Sequence, residues 1–460
     1  MPLTGIKASE LSGQPRGSDI AGVRPSTGLW ACLGYFLFFL MVTFPAAPGL
    51  GLLKGCLLAL VLASVVVVVP KGSFALDFTV VAWTFFFVAL GFLLVVRGLF
   101  EAAPGAWKVV TVHVLWPIIY LVLLGGVASF KKLVDLERVL MLAAIFIPAY
   151  GFLYVASEMD LVPGIGYIGL SSFRDEQALG LYDNYIQTSI HGLNSMSFLL
   201  PFIMATLVTY RRSEKSERIW RISLWISLLL GIALMLISGR RALLLVTMLA
   251  PLLILGFCFF QPFAQRIRNQ KFVLRLAVVA LCSAIALTFV ISLMHEVKLT
   301  QIFGELANSF DFSATTESGN ASDRRSQYFA LLHGWHENSI IGAGLGMPAY
   351  GSIRSETTPW AYELTYLALL FQTGLVGVLA YAAGVFWIYR LGTRVIKEGG
   401  ILGQMMLPLL VGMTCFLIAN ATNPYLTKFD GLWTLFLPVA VINFWLVGHR
   451  ERESSSPRAI

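Results

Sequence analysis

The sequence predicts an all-α protein that crosses a membrane many times, and composition and hydropathy patterning carry that prediction. Hydrophobic residues make up 57% of the 460 residues and charged residues 13%, whereas a soluble domain carries roughly 25% charged residues. Apolar runs about as long as the ~20 residues that cross a bilayer recur along the whole chain. This composition excludes a soluble enzyme, a disordered chain and a secreted disulfide-rich domain.

Twelve membrane-spanning helices are predicted, each from one apolar run. The segments between them are mostly short and hold the charged residues, glycines and prolines that end or join such helices. The predicted spans are 27–44, 50–69, 78–96, 109–127, 139–157, 193–209, 222–238, 242–260, 274–294, 362–389, 401–420 and 431–448.

The positive charges orient these spans. Lysine and arginine are enriched in the cytoplasmic loops of membrane proteins. An N-terminus inside the cell puts 22 of the 33 lysines and arginines on the cytoplasmic side, so both termini are predicted to be cytoplasmic. The net charge of +8 comes from residues scattered among short loops, and it therefore indicates no nucleic-acid partner.

This orientation divides the chain into five regions. One segment between spans holds about 67 residues, too many for a simple connector, and is predicted to be a functional outer domain. The regions are a cytoplasmic tail at 1–26, helices one to nine at 27–294, the outer, periplasmic domain at 295–361, helices ten to twelve at 362–448 and a second cytoplasmic tail at 449–460.

Arg240 and Arg241 are the most informative of the few positive charges left on the outer side. They follow Ser238-Gly239 between two apolar runs whose far ends are both rich in lysine and arginine. Because both far ends favour the cytoplasm, the chain must turn here and bring the two arginines to the outer membrane surface. Charge at such depth is usually paired or functional. Binding of an anion such as a diphosphate is the functional interpretation, and contact with lipid headgroups is the alternative.

Arg324 begins a helical pattern in the outer domain. Tyr328, Leu331, Leu332 and Trp335 recur at helical spacing and form one stripe that includes Arg324. If this stripe packs on the membrane helices, Arg324 points toward the outer surface of the bundle. The alternative is a solvated arginine in the first helical turn.

Arg174 and His191 are candidates in the other long outer segment. Arg174 is followed by Asp175 and Glu176, which could neutralise it, so anion binding and a local ion pair stay equally open. His191 precedes the sixth span and could line the same outer surface.

Glu363 lies at the predicted start of the tenth span. A carboxylate at this place could be the general base that activates an acceptor hydroxyl at the outer face. Alternatively, it could only gain from the dipole at the helix N-terminus.

The remaining histidines and a glycine run predict no metal or nucleotide site. His333 and His336, followed by Glu337, do not have zinc-ligand spacing, and no metal is predicted. The run Gly342-Ala-Gly-Leu-Gly346 is interpreted as a backbone turn, because a dinucleotide loop needs a strand before it and a helix after it. His113 is interpreted as a hydrogen-bonded residue inside the helix bundle.

Several motifs follow one another in an order that is typical of one family. Ile237-Ser-Gly-Arg-Arg-Ala-Leu243 resembles a serine–arginine turn after an apolar helix. The stretch from Ser322 to Gly346 resembles an arginine followed by a glycine run, and Tyr366 to Gly377 resembles a "yLqllaetGliG" helix. Arg174 with His191-Gly-Leu-Asn194 is a weaker match. Together they resemble the O-antigen ligase and polymerase superfamily of bacterial envelope glycosyltransferases.

The resemblance implies a GT-C-like transferase, independent of metals and cofactors, at the periplasmic face of the bacterial inner membrane. Its donor would be a glycan on undecaprenyl diphosphate, and its acceptor a sugar hydroxyl of a glycan or lipid-linked glycan. Arg240 or Arg241, together with Arg174, would hold the diphosphate. Arg324 would brace the outer domain or contact the glycan, and His191 would line the substrate site.

Glu363 is one departure from the family pattern. In ligases the position just before the "yLqll" helix is typically histidine, and here it is Glu363. The departure favours a polymerase of O-antigen or exopolysaccharide repeat units, with a chain-length regulator as partner. A ligase that transfers glycan to lipid A core is the alternative.

A transporter or flippase for the same lipid-linked glycans is the second alternative. Such a protein should carry polar residues along a pathway at mid-membrane. Apart from Lys54 and His113, charge in this sequence is concentrated at the outer ends of the spans, which favours chemistry at the outer face.

Overall fold

The part of the chain that the structure describes is mostly helical. The computed structural model describes residues 28–45, 47–67, 74–127, 129–162, 178–182, 185–209, 216–267, 269–274, 319–351 and 356–455. The elements are α1 (Gly28–Thr43), α2 (Gly51–Val67), α3 (Phe78–Phe100), α4 (Ala106–Gly126), α5 (Phe130–Glu158), β1 (Ala178–Tyr182), β2 (Tyr185–Ser189), α6 (Leu193–Thr209), α7 (Ser216–Ser238), α8 (Arg241–Cys258), α9 (Gly319–Glu337), α10 (Thr365–Glu398), α11 (Gly400–Asn420) and α12 (Trp433–Ser455).

Seven of the described helices are long and apolar enough to cross a membrane. They are α3, α4, α5, the Ile219–Ser238 part of α7, α8, α10 and α11. Shorter apolar helices lie in α1, α2 and α6. This agrees with the predicted all-α, multi-pass membrane architecture. The ninth predicted span, 274–294, lies outside the described residues after its first position, so the total of twelve stays a prediction.

Several helices extend beyond the apolar runs from which they were predicted. α5 begins at Phe130 rather than at 139, and α10 continues to Glu398 rather than to 389. The added turns carry lysines and arginines, whose long side chains can reach the headgroup region while their backbone stays helical. Hydropathy marks only the part of a helix that lies in hydrocarbon, so the prediction stopped too early.

Side-chain caps and a left-handed glycine turn set some of the helix boundaries. The Asp77 carboxylate accepts a hydrogen bond from the Thr79 backbone N–H and caps α3, and Ser129 caps α5 through the Lys132 N–H. Each cap satisfies a donor that the first helical turn would otherwise leave unpaired. Gly399, with φ 76°, turns the chain from the end of α10 into α11.

The core of the bundle is α6. Nearly every residue from Leu193 to Thr209 is buried, and the helix packs against α11, α7 and α8. The Phe198 ring meets Trp433 of α12 edge-on at 4.8 Å, and Gly412 of α11 lets that helix approach the Phe198 ring closely. An all-round buried apolar helix is typical of the centre of a large membrane bundle.

α10 is broken at Gly374. This residue has φ 65° and ψ −174°, a conformation outside the helical region that favours glycine. The break separates a short first part, Thr365–Thr373, from a longer second part that ends at Glu398. The predicted span at 362–389 overlaps α10, but the helix begins at Thr365, so Glu363 lies just before it.

A short hairpin adds a feature that the all-α prediction did not include. β1 and β2 pair antiparallel, with Ala178 opposite Ser189. The hairpin ends just before α6, so it brings Ser189 to the end of the bundle where α6 begins.

Contacts between distant segments define two ends of the bundle. We call the end where α6 and α8 begin and α11 finishes the arginine end. There, Lys54 of α2 forms an ion pair with Asp430, at 3.0 Å, in the loop after α11. At the opposite end, Arg450 of α12 pairs with Asp77 at 2.8 Å. Lys54 therefore lies in the first turn of α2, at the arginine end, with a carboxylate partner.

Candidate functional site at the arginine end

The turn between α7 and α8 places Arg240. Gly239 has φ 61°, which allows the reversal, and the Ser238 hydroxyl donates back to the Met235 carbonyl at 2.7 Å. The Arg240 N–H in turn donates to the Ser238 oxygen at 3.4 Å. The predicted turn at Ser238-Gly239 is confirmed, and it leaves Arg240 directly before the first residue of α8.

The Arg240 guanidinium is hydrogen-bonded to residues from two separate parts of the chain. Its Nη1 donates to Asn194 Oδ1 of α6 at 2.9 Å, and its Nη2 donates to Ser189 Oγ at the end of β2 at 2.7 Å. The Tyr425 hydroxyl, in the loop between α11 and α12, is influenced electrostatically by this guanidinium. Within the described part of the chain both hydrogen-bond partners are uncharged, so they orient the positive charge of Arg240 without neutralising it.

Tyr425 experiences both burial and this charge. Burial raises the pKa of the Tyr425 hydroxyl, and the neighbouring Arg240 guanidinium opposes that shift. Tyr425 therefore stays a neutral hydroxyl at physiological pH.

Arg241 differs from Arg240 in exposure. It is the first residue of α8 and its side chain is exposed, whereas the Arg240 side chain is half-buried among its partners. The sequence could not separate the two arginines. The structure assigns the fixed, inward position to Arg240.

The second candidate group joins the outer domain to α10. Arg324 of α9 forms an ion pair with Glu363, with 2.6 Å between Nε and Oε2. The Glu363 backbone N–H donates to the Gln327 side-chain oxygen at 3.0 Å. Two residues one turn apart on α9 therefore hold both the side chain and the backbone of Glu363.

The buried stripe of α9 differs from the prediction at one position. Leu331 is fully buried and Trp335 is half-buried, as expected, but Tyr328 is 42% exposed. Gln327, only 2% exposed, takes the inner position instead. The pattern of apolar residues could not reveal this, because the buried partner at 327 is polar and bonds a backbone amide.

Arg240 and the Arg324–Glu363 pair both lie near the C-terminal end of α11. The Tyr366 hydroxyl, one turn after Glu363, donates to the Leu417 carbonyl in the last turn of α11 at 2.6 Å. α11 then ends at Asn420 and leads into the loop that carries Tyr425. Arg240 and the Arg324–Glu363 pair thus lie at one end of the bundle, on either side of the C-terminal turn of α11.

The glycine run is a turn that docks the outer domain, as interpreted from the sequence. Gly342, Gly344 and Gly346 all have positive φ, and their backbones touch the break in α10, the end of α3 and the start of α4. The Ala343 N–H donates to the Phe371 carbonyl, and Arg97 Nε donates to the Gly342 carbonyl at 2.6 Å. Arg97, in the last turn of α3, therefore fixes this turn.

The other predicted site residues are not brought into either group by a described contact. Arg174 lies outside the described residues. His191 is 8% exposed in the turn that precedes α6, three residues before Asn194.

His113 is hydrogen-bonded inside the bundle, as predicted, with 3.0 Å between Nδ1 and the Tyr381 hydroxyl. His333 lies on the exposed face of α9, 3.7 Å from Glu337. Among the residues that the structure describes, no group of three or more histidines, cysteines or carboxylates could hold a metal ion.

Sequence reasoning missed Ser189, Gln327 and Tyr425. Each is an ordinary polar residue in its own segment, and only the fold brings it to an arginine or a glutamate. Asn194 was noticed as part of the His191-Gly-Leu-Asn194 motif, but without its role as an acceptor for Arg240.

Comparison with known proteins adds no relative. The chain matches no model of a known protein family, and a search of curated proteins finds no match.

Proposed function

We propose that this chain is a membrane glycosyltransferase that moves a glycan from undecaprenyl diphosphate to a sugar hydroxyl. The main support is Arg240, an arginine at one end of the helix bundle whose two hydrogen-bond partners among the described residues, Asn194 and Ser189, orient it without neutralising it. Such a guanidinium presents a planar fork to a diphosphate. The resemblance of the sequence motifs to the O-antigen ligase and polymerase superfamily points to the same chemistry.

The reaction assigns a role to each group. The acceptor oxygen attacks the anomeric carbon, the bond from that carbon to the phosphate oxygen breaks, and undecaprenyl diphosphate leaves. Arg240 stabilises the negative charge that develops on the leaving diphosphate. Glu363, held by Arg324, takes the proton of the acceptor hydroxyl. Neither a metal nor a cofactor takes part in this scheme.

The most specific form of the proposal is a polymerase of O-antigen or exopolysaccharide repeat units in the bacterial inner membrane. The arginine end would face the periplasm and both termini the cytoplasm. Glu363, where ligases typically have histidine, favours the polymerase over transfer to lipid A core. A chain-length regulator would then be the protein partner.

A binding experiment tests the anion site. Purified protein in lipid nanodiscs should bind undecaprenyl diphosphate more tightly than undecaprenol, which has the same tail and no charge. Arg240→Ala should weaken binding of the diphosphate at least tenfold, the loss expected for one hydrogen bond to a charged group. Arg394→Ala, the same change on an exposed arginine of α10 beyond the break, is the control. Equal binding by Arg240→Ala and the parent protein would refute the site.

A reconstituted assay separates the enzyme from a transporter. Proteoliposomes that contain a lipid-linked glycan should yield longer glycans and free undecaprenyl diphosphate. Movement of the lipid-linked glycan between leaflets without any new glycosidic bond would favour the transporter instead.

A further inference from the structure

The break in α10 at Gly374 lies within the depth of a bilayer. The first charged residue of α10 after the break is Arg390. At about 1.5 Å per residue, the helix between Gly374 and Arg390 is about 24 Å long, whereas the hydrocarbon core of a bilayer is roughly 30 Å thick. If Arg390 marks one edge of the hydrocarbon, Gly374 lies about 6 Å inside the other edge.

α3 gives the same depth independently for the segment that packs against the break. This segment, residues 338–346, is called the docking turn below. Its Leu345 N–H donates to the Leu94 carbonyl of α3 at 3.1 Å. Leu94 lies about 26 Å along the helix from Asp77, the charged cap at the opposite end of the bundle. A tilted helix covers less depth for the same length, so tilt would move this contact further into the hydrocarbon.

Backbone hydrogen bonds between the docking turn and α10 make this depth possible. Irregular backbone is tolerated in the hydrocarbon only where other protein groups satisfy its N–H and C=O groups. The Leu375 N–H, just after the break, donates to the Ser339 carbonyl at 2.9 Å, and the Val376 N–H donates to the Ile340 carbonyl at 3.1 Å. Two N–H groups of the docking turn donate in return to carbonyls just before the break, both at 2.9 Å.

The docking turn presents two large apolar side chains on its outside. Ile340 is 67% exposed and Ile341 is 50% exposed. The hydrogen bond to Val376 places Ile340 beside α10, where Leu375, Val376 and Leu379 are exposed as well. α10 is apolar and long enough to cross a membrane, so the outward side chains of this helix contact lipid. The two isoleucines continue that lipid-facing surface.

We propose that the docking turn is inserted into the bilayer, with Ile340 and Ile341 in contact with the hydrocarbon chains of the lipids. Arg97 fits the same placement, because it lies about 30 Å along α3 from Asp77, at the edge of the hydrocarbon. Its guanidinium donates to the Gly342 carbonyl and to Asn338 Oδ1 and so holds the turn from the headgroup side.

This insertion goes beyond the proposed function, because it needs no substrate. The outer domain would be partly embedded in the membrane instead of lying wholly in water. α9 leads directly into the docking turn and carries Arg324. The bilayer would therefore help to set the position of the Arg324–Glu363 ion pair.

Spin labels on single cysteines test the insertion. In a variant without native cysteines, Ile340→Cys and Ile341→Cys are labelled with a nitroxide and placed in lipid nanodiscs. Power saturation then compares collisions with O₂, which concentrates in hydrocarbon, and with a water-soluble nickel chelate. Both labels should collide more with O₂, as should a label at Leu379→Cys on the exposed face of α10. His333→Cys is the control in water, since the His333 side chain is 82% exposed on α9, and its label should collide more with the nickel chelate.

Two other outcomes would overturn the proposal. Labels at 340 and 341 that collide mainly with the nickel chelate, as the label at 333 does, would place the docking turn in water. Labels that neither reagent reaches, with spectra broadened by a second label, would show that another copy of the chain covers the isoleucines. Two neighbouring positions are labelled so that the loss of the fold in one variant leaves the other as the test.

Discussion

Arg324 Nε lies 2.6 Å from Glu363 Oε2, and this ion pair ties the outer helix α9 to the entry of α10. From the sequence, Arg324 was a candidate for substrate binding and Glu363 a separate candidate for catalysis. In the structure the two side chains form one ion pair. The Arg324 guanidinium occupies one oxygen of this carboxylate, Oε2. The pair therefore links the position of α9 to the start of α10.

The first prediction concerns this ion pair. Glu363→Gln and Arg324→Ala should each lower the rate of glycan transfer, and the double variant should lose little more than the worse single one, because residues that act together are not additive. The rates are measured with a lipid-linked donor in nanodiscs. The side chains of Arg324 and Glu363 are 39% and 22% exposed, respectively. Each substitution should therefore lower the free energy of unfolding by no more than about 1 kcal/mol.

Arg325→Ala is the control for that series. Arg325 is the next residue on α9, and its exposed side chain lies over the Phe329 ring. Transfer should stay at the parent rate. Losses that simply add in the double variant would show that Arg324 and Glu363 work separately.

The second prediction concerns the arginine fork at Arg240. Arg240→Ala should slow transfer by about a hundredfold, or ~3 kcal/mol, the typical loss of one donor that stabilises developing charge. Arg240→Lys should remain impaired, because one ammonium cannot serve Asn194 and Ser189 and still offer a fork to the diphosphate. Arg241→Ala should have a smaller effect, since its side chain is exposed. Glycan transfer at the parent rate by Arg240→Lys would mean that a positive charge at this position is enough and that the planar fork is not needed.

Much of the bundle could be predicted because hydropathy is a local property. Eleven of the twelve predicted spans overlap a described helix, and the turn at Ser238-Gly239 followed from the basic flanks on both sides. The break at Gly374 could not be predicted. It depends on the outer-domain turn, whose Leu345 and Gly344 N–H groups bond carbonyls of α3 and α10, and no local pattern encodes that contact.

The site was predicted only in part for the same reason. Arg240 and Glu363 are unusual in their own segments, since each is a charge beside an apolar run. Tyr425, Ser189 and Gln327 are ordinary residues until the fold brings their segments together. Charge in an apolar context is visible in one sequence, whereas a hydrogen-bond partner from a distant segment is not.

The third prediction concerns membrane orientation. In a variant without native cysteines, His333→Cys on the exposed face of α9 should react with a membrane-impermeant maleimide in cells whose outer membrane has been opened. Lys131→Cys, an exposed position at the opposite end of the bundle, should react only after the inner membrane is permeabilised. The reversed pattern would place the arginine end in the cytoplasm, where a periplasmic transferase cannot work.

The fourth prediction concerns the buried pair that anchors the loop 421–432. Lys54 Nζ bonds the Phe44 carbonyl at 2.6 Å as well as Asp430. Lys54→Met should lower the free energy of unfolding by ~3–5 kcal/mol, because it leaves the Asp430 carboxylate buried without its partner. The double variant Lys54→Met, Asp430→Leu should recover most of that loss. Thermal unfolding in detergent measures both, and a double variant as unstable as Lys54→Met would contradict the ion-pair explanation.

The last prediction concerns the break in α10. Gly374 has a backbone conformation that side chains rarely adopt, and a Cβ atom there would meet the Ile340 carbonyl and the Gly342 N–H. Gly374→Ala should therefore cost at least the ~1–3 kcal/mol of such backbone strain. Because the Leu375 N–H bonds the Ser339 carbonyl across this contact, the outer domain should also become easier to cleave by protease. Gly256→Ala is the matched control, since Gly256 is helical and has open space around it; it should be neutral or stabilising by up to ~1 kcal/mol. Equal thermal unfolding of the two variants would show that the outer domain does not depend on the break at Gly374.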